Sequence, residues 1–62
     1  MTKEEYEERI KQVIKSDFMA FVNDKQIDAI ANKIADYKVE DGVYTISEVV
    51  EMYFSEVLGI DL

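Results

Sequence analysis

Apolar residues recur along this chain at the three-four spacing of a helix and do not alternate as they would in a strand. Tyr6, Ile10, Val13, Ile14, Phe18, Phe21 and Val22 share one helical face, and Ile27, Ile30, Ala31 and Ile34 share a second. The third stripe is the most regular. Ile46, Val49, Val50, Tyr53, Phe54, Val57 and Leu58 keep the spacing without a miss. Gly59 then offers the left-handed conformation on which helices often end, and Ile60 beyond it is placed to fold back onto Phe54.

Each stripe is preceded by the same start signal, a capping residue with an acid or amide three positions later and apolar neighbours on both sides. Thr2 with Glu5 lies between Met1 and Tyr6, Asn23 with Gln26 between Val22 and Ile27, and Thr45 with Glu48 between Tyr44 and Val49. In such a box the cap side chain accepts from a free backbone amide while the later residue reaches back, and the apolar pair staples the entering chain. Together these signals predict an all-α three-helix bundle, with helices at about 3–21, 24–37 and 46–58 and a glycine-containing loop at 38–45. Ser16 and Asp17 compete for backbone amides and could split the first helix, giving four short ones. The apolar register runs from Ile14 to Phe18 without a phase shift, so a continuous helix is the reading adopted. Ile30, Ile34, Val50, Phe54 and Val57 are central in their stripes and are expected to be the most buried positions.

Composition narrows this picture. Sixty-two residues make one small domain, and a chain so short buries only about 60% of its unfolded surface. Cysteine and histidine are both absent, which removes disulfides, zinc-finger chemistry and the two best transition-metal ligands. Stability must come from packing or from a second chain. Met1 is followed by an acidic, helix-forming segment and not by a basic start and an apolar run, so no signal peptide is expected. No run approaches the roughly 20 apolar residues that cross a bilayer, which points away from a membrane and towards the cytoplasm.

One stretch carries a hint of chemistry. Asp41-Gly42, with Glu48 six residues after the glycine, matches the second half of an EF-hand calcium loop. Placing Gly42 sixth puts Tyr37 first, Val39 third, Asp41 fifth and Glu48 twelfth. The first and third positions should donate oxygen to the ion, and here both are lost, with Asp36 one residue outside the frame. A degenerate EF-hand-like domain is therefore a lesser alternative, and no metal or cofactor is expected. The stretch is read as a joint between helices. Gly42 supplies its turn, Thr45 and Glu48 cap the next helix, and Val39, Val43 and Tyr44 cover the edge of the core.

The remaining function classes are separated by charge. Fourteen acids against seven bases give a net charge of −7, which repels a phosphate backbone. A helix-turn-helix-like domain is the other lesser alternative, but its reading helix should be basic and follow a short turn. From Gly42 onward the chain has Glu48, Glu51, Glu56 and Asp61 and no base, so nucleic acid is not the expected partner. An enzyme is not expected either. There is no histidine or cysteine to activate a nucleophile, and two glycines cannot build a phosphate-cradling loop. Glu4, Glu5, Glu7 and Glu8 are the solvated first turns of a helix, where negative charge meets the positive end of its dipole.

Protein-protein interaction is the class left. On the third helix Glu48, Glu51, Met52 and Ser55 lie together, opposite the apolar stripe. Acids there steer a basic partner, and methionine adapts to the surface it meets. The expectation is a small acidic interaction module, a regulator or inhibitor that occupies a basic surface of a larger protein, including one that otherwise holds nucleic acid. The alternative is self-association as a homo-oligomeric accessory protein, burying Phe21, Tyr37 and Tyr44 between identical chains. Size, acidity and lack of cysteine suit an accessory protein of a bacterium or virus.

Overall fold

Three stretches of the described residues form helices, two of them starting directly at caps read from the sequence and the middle one entered through a turn that starts at such a cap. The structure, a computed structural model, describes residues 2–38 and 42–61. Helix α1 is Lys3–Asp17, started by Thr2, whose hydroxyl accepts from the Glu5 amide at 3.1 Å. Helix α2 is Ile27–Tyr37, entered through a 3-10 turn at Asp24–Gln26. There Asn23 accepts from the Lys25 amide at 2.9 Å and the Gln26 side chain accepts from the Asn23 amide at 3.4 Å. Helix α3 is Ile46–Met52 and continues into a wider π turn over Tyr53–Val57. Its box is complete: the Thr45 hydroxyl accepts from the Glu48 amide at 3.2 Å, and the Glu48 carboxylate accepts from the Thr45 amide at 2.9 Å. The described residues are all-α, with no strand among them.

The core joins all three helices. Tyr6, Ile10 and Ile14 from α1, Ile27, Ala31, Ile34 and Ala35 from α2, and Val49, Val50, Tyr53 and Phe54 from α3 and its extension are buried together with Phe18. Among the described residues no charged or polar side chain is buried with them, so little stability is spent on desolvating charge. Of the two tyrosines in this cluster, Tyr6 donates its hydroxyl to the Lys38 carbonyl at 2.9 Å.

Helices α1 and α2 run antiparallel, and their surface shows why the register is fixed. Lys3 pairs with Asp36 at 2.8 Å, Asn32 donates to Glu7 at 2.9 Å, and Lys11 pairs with Asp28 at 3.0 Å. Each step of four along α1 is answered by a step of four back along α2, so the rungs lie on one seam. Lys11 also reaches Glu8 at 3.6 Å. Tyr37 is at the Lys3 end of this pair and Phe18 at the other. Adjacent residues of α3 reach both: Tyr53 is edge-on to Tyr37 at 5.4 Å between ring centroids, and Phe54 is 5.0 Å from Phe18. Helix α3 therefore lies across the pair instead of along it.

Four expectations need correction. The first helix ends at Asp17 and not near residue 21. The Phe18 amide still closes onto the Ile14 carbonyl at 2.9 Å, but Phe18 has left helical conformation and the chain turns through Met19–Phe21. Ser16 donates to Asp17 at 3.2 Å, the local competition that weakens a helix end. The apolar register survives the break only because Phe18 swings inward from the cap and stays buried. No fourth helix results, because residues 18–22 form a turn.

Val57 is the second correction, being 51% exposed where burial was expected. The three-four spacing assumes 3.6 residues per turn. From Tyr53 the winding is wider, with the Leu58 amide donating to the Tyr53 carbonyl at 3.2 Å and the Ile60 amide to the Phe54 carbonyl at 3.0 Å. The spacing no longer tracks one face there, and Leu58 is exposed too. Ile30 is the third, since it is only partly buried at the edge of the cluster. Ile34, Val50 and Phe54 are fully buried as their central positions predict. The fourth concerns the joint: Val43 is 70% exposed and Tyr44 is exposed as well, so neither seals the core. The Lys38 ammonium instead rests over the Tyr44 ring at 4.4 Å. Val39 lies outside the described residues. Gly59 has φ +68 and Ile60 packs against the core after it, as the end of the third stripe implied.

Candidate interaction face

The outer side of α3 is fixed by its inner side. Val49, Val50, Tyr53 and Phe54 are pulled into the core, which leaves Glu48, Glu51, Met52 and Ser55 on the opposite face. The structure brings these four together around a surface hollow of about 250 Å³, and adds Glu56 to its lining. Glu48, Glu51, Ser55 and Glu56 are exposed, while Met52 is partly buried and supplies the apolar part of the wall. The sequence reading omitted Glu56, although it stands four residues after Met52 and shares its side of the helix.

The carboxylates are held differently. Glu48 is tied back to the helix start, and the hydrogen bond from the Thr45 backbone holds its carboxyl below the ordinary range. Glu56 accepts from the Tyr37 hydroxyl at 2.7 Å. That bond, with some burial, raises the Tyr37 phenol, because the neutral form is the donor. Glu51 makes no hydrogen bond or ion pair among the described residues. The face thus offers three negative charges, two anchored and one free to reorient, beside a methionine and a hydroxyl. It can attract cations and make apolar contact. Among the described residues no three His, Cys, Asp or Glu side chains converge as a metal set.

The calcium-loop frame fares differently at its two ends. Val39 and Asp41 lie outside the described residues. Gly42 has φ +79, so it does make the turn, and Glu48 is engaged in capping Thr45. Tyr37, first in that frame, points its hydroxyl at Glu56 on the third helix. No helix among the described residues is long and apolar enough to cross a membrane. No known protein family, curated protein or solved structure matches the chain.

Proposed function

We propose that this protein is a small acidic interaction module that binds a basic surface of a larger protein through the outer face of α3. The observation that carries this is the hollow lined by Glu48, Glu51, Met52, Ser55 and Glu56, on a helix without a single positive charge. Exposed acids raise the rate of encounter with a cationic surface, and the central methionine is the residue that would be desolvated on contact. A regulator or inhibitor is the role this suits, because the face can cover a basic site without chemistry of its own. The compartment that fits is the cytoplasm, where basic nucleic-acid-handling surfaces are plentiful.

The test has two stages. Affinity capture from a host lysate at low and moderate salt supplies a partner, and kinetic measurements with variants then locate the contact. Changing Glu48 and Glu51 to lysine together should slow association and weaken its dependence on salt. Met52→Ala should leave association nearly unchanged and speed dissociation. A captured partner indifferent to all three changes would move the contact elsewhere, first of all to the glutamate-rich start of α1.

A further inference from the structure

Tyr37 is the last residue of α2, and both of its chain neighbours contact α1. Asp36 pairs with Lys3 at 2.8 Å, and the Lys38 carbonyl accepts from the Tyr6 hydroxyl at 2.9 Å. The ring is held as well, standing edge-on to the buried ring of Tyr53 at 5.4 Å between centroids. From this braced position the hydroxyl donates to Glu56 Oε2, in the turn that extends α3. The separation, 2.7 Å, is that of a hydroxyl donating to an ionised carboxylate. The bond also raises the phenol, so the donor keeps its proton at neutrality.

Glu56 therefore differs from the other acids of the hollow. Glu48 is held by its own helix start, as part of the cap. Glu51 has no hydrogen bond or ion pair among the described residues. Of the three, Glu56 is the one held by a side chain from another helix. A glutamate has several rotatable bonds, and freezing such a side chain when a partner arrives weakens binding by roughly two- to tenfold. Holding it beforehand removes that loss.

We infer that Tyr37 is a positioning residue for the α3 face, holding the Glu56 carboxylate at the wall of the hollow to receive a cationic side chain of the partner. The phenol takes Oε2, and Oε1 is left for the cation. This rests on the reading of that face as the contact, and adds to it a residue of α2 that is not in the lining. The whole chain is titrated with oligo-arginine at low salt while the backbone amides of residues 48–56 are followed, in a cycle of Tyr37→Phe, Glu56→Ala and both together. Phenylalanine keeps the ring against Tyr53 and removes only the donor. Tyr37 is 39% exposed, so helicity should be kept. Tyr37→Phe should weaken binding by roughly two- to tenfold. The double variant should bind no more weakly than Glu56→Ala alone, because Tyr37 acts through that carboxylate. In a Glu51→Ala background, Tyr37→Phe should have its full effect. Weakening by the same factor in all three backgrounds would mark a merely structural tie and overturns the inference. So does binding at residues 48–56 that Tyr37→Phe leaves unchanged or tightens. No shifts at residues 48–56 in the native chain would instead remove the reading of the face itself, and the inference with it.

Discussion

Phe54 and Val57 stand three residues apart on the same apolar stripe and have opposite fates. Phe54 is fully buried, with Phe18, Phe21 and Tyr53 rings around it. Phe54→Ala should cost about 3–5 kcal/mol, a large part of the stability of so small a domain. Val57→Ala should change stability by less than about 0.5 kcal/mol, because an exposed side chain has little burial to lose. Urea denaturation of the two variants checks the pair, and equal losses would mean that the last turn is wound as an ordinary α-helix. The stripe itself was legible in the sequence, as were Val50 and Phe54 at its centre and Ile34 at the centre of the second stripe. The winding was not, because a side-chain pattern reports which residues are apolar and is silent on whether an amide bonds four or five residues back.

At the scale of elements, the caps were the most legible feature and the seam between α1 and α2 the least. Thr2, Asn23 and Thr45 all cap, since a cap needs only residues close in sequence, but the reciprocal box their spacing implies is complete only at Asn23 and Thr45. Thr45→Ala should cost about 1 kcal/mol by freeing the Glu48 amide, with helicity lost first at the start of α3. The Glu48 carboxyl is held below its ordinary value of 4.5. Its contribution is therefore fully present above that pH and fades as pH falls through the lowered value. Lys3 and Lys11 are raised by their bonds to Asp36 and Asp28, so their contribution is present below 10.5 and is lost as pH climbs beyond it. Melting temperature should accordingly be flat around neutrality and decline at both extremes. The seam demands knowledge of which helices meet and in which direction, although its spacing of four on each helix was in plain view once antiparallel packing is granted. Lys11→Asp should lower the melting temperature, and Asp28→Lys in the same chain should recover part of the loss. Failure to recover would mean that the rung is incidental to the register.

The whole molecule is a case of local signals outrunning tertiary ones. Three helix starts could be placed from capping chemistry alone, whereas the crossing of α3 over the other two depends on Tyr53 and Phe54 finding rings that lie 16 or more positions away in the chain. The break at Ser16 and Asp17 was visible as a weak point and was overridden by a stripe that continued through Phe18. A cap residue can fill the next apolar position as well as a helical one can. The outer face of α3 followed directly from its inner face, which is why Glu48, Glu51, Met52 and Ser55 come together as expected, while the link from Tyr37 to Glu56 needed the fold. That face is also the claim on which the proposed function stands. Titrating the isotope-labelled chain with oligo-arginine at low salt, and following each backbone amide, tests it most directly. Shifts concentrated on residues 48–56 and abolished by moderate salt are the predicted result. Shifts spread evenly over the acidic surface, or centred on Glu4, Glu5, Glu7 and Glu8 of α1, would contradict it.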